Sequence, residues 1–244
     1  ELFHSIREIK MLGECREMRV KCRNMSSVLL KDCKLPNCVY ITGKHSCVKI
    51  QNAIGMKYLN CDSIGHLSLD TFECMVMLKV RKCKLVEAKD LCGLVYLGNN
   101  RSKVVYTPDA FPNLRAMKFN NCTLPLDDSV FCDYLCSLDK LALKKCKLNV
   151  DKLPEMNIQT LTIDDPKHRE LITLLKPVVL YLRYEEDKDV MLDWLKLGNR
   201  KLYSNIFISE YHDVMFFNTK CKDHDEDHNR RASMKQKTLL QLLN

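Results

Sequence analysis

Fourteen cysteines, seven histidines and a net charge of +8 bound the chemistry open to this chain of 244 residues. The best candidate for metal ligation is Cys221, His224 and His228, but a structural zinc site takes four ligands, and the interleaved acids Asp223, Asp225, Glu226 and Asp227 read equally as a solvated linker. Cys132 and Cys136 stand four residues apart on a segment of helical periodicity, and would bind metal only with two further ligands converging. Arg230-Arg231-Ala232-Ser233 has the form of a basophilic kinase site, which makes Ser233 a candidate phosphosite. There is no G-x-S-x-G, H-E-x-x-H or kinase signature, and seven glycines are too few for a nucleotide site built on backbone amides. The expectation is a chain without catalysis, cofactor or metal.

The remaining cysteines matter by position. Cys33, Cys61, Cys83, Cys122 and Cys146 each follow apolar residues at like offsets, which marks a repeat rather than a disulfide framework. With the template apolar, two any, apolar, one any, apolar, two any, Cys or a substitute, the full matches are Leu114-Met117-Phe119-Cys122, Leu138-Leu141-Leu143-Cys146, Met25-Val28-Leu30-Cys33 and Met75-Leu78-Val80-Cys83. Looser matches are Ala53-Met56-Tyr58-Cys61, Cys92-Val95-Leu97-Asn100, Ile158-Leu161-Ile163-Pro166, Pro177-Leu180-Leu182-Glu185 and Tyr203-Ile206-Ile208-Tyr211. The nine starts lie 28, 22, 17, 22, 24, 20, 19 and 26 residues apart. Before Cys61 a competing frame exists, His45-Val48-Ile50 and Ile64-Leu67-Leu69.

This template resembles the L-x-x-L-x-L-x-x-N/C-x-L signature of leucine-rich repeats, and its cysteines resemble those of the irregular repeats in F-box-type substrate receptors. The resemblance covers residues 25 to 211 and implies an α/β leucine-rich repeat solenoid, with parallel strands on a concave face and short helices or turns on the convex face. It further implies a protein-binding role, extending to substrate recognition within a ubiquitin ligase. The order Trp194, Leu195, Gly198, Asn199, Leu202 and Ile206 is also similar to the end of the nematode F-box-associated domain.

Three segments follow. Residues 1–24 place Leu2, Phe3, Ile6, Ile9 and Leu12 on a helical face, as a cap or the remnant of an upstream domain; 25–212 form the solenoid; 213–244 read as a charged flexible tail. The tail ends in Leu239-Leu240-Gln241-Leu242-Leu243, an LxxLL pattern best read as the start of a helix. Asp127 to Leu138 and Lys167 to Leu175 carry apolar pairs at helical spacing and should be convex turns of helix. The opening Glu1-Leu2-Phe3-His4 carries no leader and reads as part of a longer chain.

Function in a solenoid lies on outward strand positions. The template puts Lys57, Lys79, Arg81, Tyr96, Lys118, Asn120, Lys144, Tyr181, Arg183 and Phe207 there. The basic members would form a stripe roughly 25 Å long at strand spacing. Two readings follow: another, acidic protein anchored by Tyr181 and Phe207, or nucleic acid held by Lys57, Lys79, Arg81, Lys118 and Lys144 on its phosphates. No apolar run reaches the roughly 20 residues of a membrane span. Sequons at Asn24, Asn100 and Asn121 would suit an exterior protein, but cysteines at inward positions favour cytoplasm or nucleus.

Overall fold

The computed structural model describes residues 6–12, 17–22, 24, 26–182 and 201–204, the first and last segments by backbone alone. It is a mixed α/β protein of many short parallel strands in repeated units, with few short helices. Two compact units are present, residues 1–138 with 146–154, and residues 139–145 with 155–244.

In the first unit the strands are β1 (Ile6–Leu12), β2 (Glu17–Cys22), β3 (Ser27–Lys31), β4 (Cys38–Thr42), β5 (Cys47–Gln51), β6 (Tyr58–Asp62), β7 (His66–Asp70), β8 (Met77–Arg81), β9 (Leu85–Lys89), β10 (Tyr96–Asn100) and β11 (Ala116–Asn120). They separate into two sheets, one ordered β1-β2-β4-β6-β8-β10-β11 and one ordered β3-β5-β7-β9. All pairings in both are parallel except β1 with β2. Each coil from β2 to β9 therefore gives one strand to each sheet.

Side chains alternate across a strand, so two inward residues per strand make the core. In the first sheet Val39, Leu59, Leu78, Leu97 and Met117 are in register and buried, at intervals of 20, 19, 19 and 20 residues. In the second, Val28, Val48, Leu67 and Val86 are likewise buried and aligned, at intervals of 20, 19 and 19. Burying each Leu or Val contributes about 1.5–3 kcal/mol, and stacking makes every coil cover the next.

The two frames that compete in the sequence are thus both real, as the two sides of one coil. Val28 and Leu30 belong to the second sheet and Leu78 and Val80 to the first, which is why steps counted through both come out uneven. Two looser matches are corrected in consequence. The β6 repeat is Met56-Leu59-Cys61-Ile64, all buried, and Tyr58 points outward at 43% exposure. The β10 repeat is Leu94-Leu97-Asn99-Ser102, and Val95 is exposed. Within residues 1–24, expected to be helical, the described stretches 6–12 and 17–22 form the antiparallel pair β1 and β2 instead. Met18, Val20 and Cys22 alternate inward with period two, and that local pattern outweighs the helical spacing of Leu2, Ile6 and Ile9.

A single left-handed residue follows most strands and turns the chain toward the other sheet. Asp32, Asn52, Thr71 and Asp90 do so after β3, β5, β7 and β9, and Ser63, Lys82, Arg101 and Asn121 after β6, β8, β10 and β11, with φ between 48° and 62°. At six of these corners the amide donates to the last strand carbonyl of the next coil, as from Lys82 to Asn100, Arg101 to Asn120 and Thr71 to Lys89. Asn and Asp tolerate this region, whereas a β-branched side chain resists it. Thr71, at φ 59°, is the most strained corner. Replacing Thr71 by Gly is expected to stabilise the chain by about 0.5–1 kcal/mol, read as a raised denaturation midpoint; Asp90→Gly should not match it.

Four of the template cysteines, Cys33, Cys83, Cys122 and Cys146, sit just past left-handed residues, whereas Cys61 is an inward residue within β6. Cys83 Sγ donates to the Arg81 carbonyl at 3.5 Å and lies 3.8 Å from the Cys61 carbonyl one coil back. Cys122 Sγ reaches the carbonyls of Asn120 at 3.3 Å and Asn99 at 3.5 Å. A thiol here fills apolar volume while offering a weak donor to carbonyls that the turn leaves open.

After β9 the second sheet stops, held only by the bridge of Val86 to Val104. The next coil replaces a strand with helix α1 (Ser129–Cys136), capped by Asp128, whose carboxylate accepts from the amides of Val130 and Phe131. Phe131, Tyr134 and Leu135 face inward, matching the helical spacing in the sequence.

The second unit contains β12 (Lys140–Lys144), β13 (Thr160–Ile163), β14 (Val179–Leu182) and β15 (Lys201–Ser204), parallel and adjacent in that order. Leu141, Leu161 and Leu180 are aligned and buried, as their repeats require. Helix α2 (Glu170–Leu175) buries Leu171, Ile172 and Leu175. Among the described residues no helix is long and apolar enough to cross a membrane.

Candidate functional site

The outward positions of the first sheet form three rows across β2, β4, β6, β8, β10 and β11. The first reads Glu17, Cys38, Tyr58, Met77, Tyr96 and Ala116. The second reads Arg19, Tyr40, Asn60, Lys79, Gly98 and Lys118. The third reads Lys21, Thr42, Asp62, Arg81, Asn100 and Asn120. Tyr58, Met77 and Tyr96 are thus direct neighbours, an aromatic and thioether strip with polar and cationic rows beside it.

The electrostatics of this face are less uniform than the sequence implies. Glu17 pairs with Arg19 at 2.7 Å, and Asp62 with Arg81 at 3.7 Å. Arg19 also stacks over Tyr40, 5.5 Å from the ring centroid. Between the cations of β2 and those of β8, β4 and β6 place Cys38, Tyr40 and Thr42, then Tyr58, Asn60 and Asp62. The basic stripe is interrupted there. Gly98 leaves room for its neighbours, since a β-carbon at that position would meet Lys79 Cγ and Tyr96 Cε1 at 3.2 Å each. Tyr96 therefore folds over Gly98 beside Lys79, and partial burial raises its phenol pKa.

Of the residues singled out in the sequence, Lys79, Arg81, Tyr96, Lys118 and Asn120 share this face. Lys57 does not; it precedes β6, and its carbonyl accepts the amides of Val76 and Met77. Lys144 lies in the second unit, 3.7 Å from the buried carboxylate of Asp164. Tyr181, half-buried on β14, lies beside Thr162 in that same unit. Arg183, Phe207, Ser233, the Cys221–His224–His228 group, Trp194 and the LxxLL segment lie outside the described residues. Sequence reasoning missed Tyr40, Tyr58 and Met77. A strict interval of 19 or 20 residues back from Leu78 to Leu59 and Val39 would have turned them outward.

No family model, curated protein or solved structure matches this chain. Its functional reading rests on its own residues.

Among the described residues no group of three or more His, Cys, Asp and Glu is placed to hold a metal ion. On α1, Cys132 and Cys136 have no further ligand converging on them, and burial together with nearby Asp128 and Asp133 raises the Cys132 pKa.

The inward thiols are chemically quiet. Burial pushes Cys22 up to about 11 and holds Cys61 well above the usual thiol range; Cys83 is raised by burial too, partly offset by hydrogen bonds. At about pH 8 iodoacetamide should modify exposed Cys47, Cys74 and Cys92 on the folded chain and spare Cys22, Cys61 and Cys83, as read by peptide mass spectrometry. A raised folded-state pKa favours the protonated fold. The Cys22 contribution is therefore complete below the ordinary thiol value of 9.0 and is lost as pH rises through about 11, so the melting temperature should fall across that window.

Proposed function

We propose that this chain is a protein-binding module of the leucine-rich repeat type, without catalysis of its own, that holds an acidic partner on the outward face of its first sheet. The strip of Tyr58, Met77 and Tyr96, flanked by Lys79 and Lys118, carries the reading. Tyrosine, methionine and arginine are the residues that anchor protein interfaces, and a ring can be buried against a partner at low entropic cost. The coil period, the inward leucines and the thiols that bond turn carbonyls support the repeat type.

The similarity of these cysteine-bearing repeats to those of F-box substrate receptors supports a place in a ubiquitin ligase, with the face above selecting the substrate. Recovery of no Skp-type adaptor by the full-length protein would count against that extension.

Nucleic acid is the competing partner, and salt separates the two. Binding carried by phosphates loses affinity steeply with ionic strength, with a log-log slope near the number of phosphates neutralised. Binding carried by Tyr58 and Tyr96 should change little between about 50 and 200 mM salt. Partner captured by the wild type should be lost with Tyr58→Ala plus Tyr96→Ala, and weakened with Lys79→Glu plus Lys118→Glu. Undiminished capture by the tyrosine double variant, its melting curve unchanged, overturns the proposal.

A further inference from the structure

The place where the second sheet ends leaves a seam in the first unit. Residues 103–105 bond to the backbone of β9 at Val86: its amide donates to Lys103 and its carbonyl accepts from Val105. One coil later, residues 121–128 swing away to begin α1. The coil cross-section changes from strand to helix there, and a cavity of ≈ 630 Å³ opens between the two segments. That size lies within the range of small-molecule sites.

Its lining is mainly apolar, from Val104, Tyr106, Phe119 and Pro125, with neutral Asn, Ser and Thr side chains among them. Two of its exposed lining residues are cationic. Arg101 and Lys103 stand there in the open, and Arg101 Nη2 donates to Asn121 Oδ1 at 3.4 Å. Exposed Lys82 and Lys84 come from the coil before, where the Lys82 amide bonds Asn100 and the Lys103 amide bonds Cys83. Lys147 follows on the other side through its bridge with Thr123. Asp128 is the one acid in the lining, and its carboxylate is engaged by the two α1 amides. The field at the cavity mouth is therefore positive.

Two polar anomalies fall at the same seam. Asn99 occupies an inward position held by Ile41, Cys61, Val80 and Phe119 in other coils, and its amide is consumed by both backbone groups of Ser102. Tyr106 is buried at 7% exposure, and its hydroxyl makes no well-formed hydrogen bond, although the Asn99 side chain lowers its pKa against the larger effect of burial. A buried hydroxyl so poorly satisfied is costly, and a packed core does not retain one without reason.

We propose that this cavity binds a small anionic amphiphile: an aromatic or aliphatic body seated on Val104, Tyr106, Phe119 and Pro125, with one carboxylate, sulfonate or phosphate held by Arg101 and Lys103. The apolar walls exclude a fully polar ligand, and the cationic mouth disfavours a cation. This inference stands independently of the partner face on the first sheet.

The test uses the full chain and 1-anilinonaphthalene-8-sulfonate, with N-phenyl-1-naphthylamine as the same body lacking the anion. The sulfonate should saturate one site with a blue-shifted fluorescence rise, and bind at least about tenfold more tightly than the neutral amine, as one charge-assisted contact gives. Arg101→Glu with Lys103→Glu should erase that difference. Val104→Trp fills the cavity and should abolish binding; should that variant not fold, Thr123→Trp at the exposed rim does the same work without touching the core. Equal affinity for the two probes, or unchanged sulfonate binding in Thr123→Trp with a wild-type melting curve, overturns the proposal.

Discussion

Gly93→Ala is expected to lower stability by roughly 2–3 kcal/mol, a fall of about 5–10 °C in melting temperature for a chain of this size. Gly93 lies between β9 and β10, where its amide meets the Phe72 carbonyl at 3.4 Å. A β-carbon there would stand 2.3 Å from the Glu73 carbonyl oxygen and 3.0 Å from that of Met75. Both atoms are backbone of the preceding coil, so neither can rotate away, and relief requires the coils to separate. Gly98→Ala is the matched control. Its new methyl would meet Lys79 Cγ and Tyr96 Cε1 at 3.2 Å, both on side chains that can turn aside, so its cost should stay within about 0.5 kcal/mol. Thermal melts of the two variants check this; equal losses would falsify the close coil-to-coil approach at Gly93.

That approach explains what the sequence could and could not reveal. Inward residues such as Leu78, Val80, Met117, Phe119, Leu141 and Leu161 were legible, because a buried strand position tolerates little besides an apolar side chain. Helix α1 was legible through Phe131, Tyr134 and Leu135. The doubling of the sheet was not. Strands of both sheets share period two and the same coil length, so Val28 and Leu78 satisfy one template although they face different layers. Nothing local distinguishes them; only long-range register does. The antiparallel strands β1 and β2 were hidden likewise, since Leu2, Phe3, Ile6 and Ile9 suit a helix as well as a strand.

The candidate face was half legible. Lys79, Arg81, Lys118 and Asn120 follow from repeats whose frame was unambiguous. Tyr58 was read as core because an aromatic residue satisfies an apolar template, although Leu59 beside it takes that position. A frame error of one residue moves a side chain from interior to surface. The same error turned Lys57 outward and hid Tyr58 from the strip it forms with Met77 and Tyr96. The cavity beside Tyr106 had no sequence signal, since it arises where a strand gives way to a helix between coils.

Two tyrosines at that junction should respond in opposite ways to loss of the same atom. Tyr134 and Tyr106 have ring centroids 6.0 Å apart in one aromatic cluster with Phe111 and Phe131. The Tyr134 hydroxyl accepts the Phe111 amide at 3.0 Å and donates to the Thr107 carbonyl at 2.6 Å, which ties α1 to the segment leading out of the seam. Tyr134→Phe keeps the ring and strands a buried N–H and a carbonyl, so it should cost roughly 2–3 kcal/mol. Tyr106→Phe removes a hydroxyl that makes no well-formed hydrogen bond, and should leave stability unchanged or raise it by up to about 1 kcal/mol. Burial raises the Tyr106 pKa far above the usual phenol range, so the group stays neutral and no charge enters the comparison at ordinary pH. Because packing is retained in both variants, the difference between their denaturant midpoints isolates hydrogen bonding. A Tyr106→Phe loss as large as that of Tyr134→Phe would mean that its hydroxyl is well bonded after all, and that the seam is closed where the cavity is drawn.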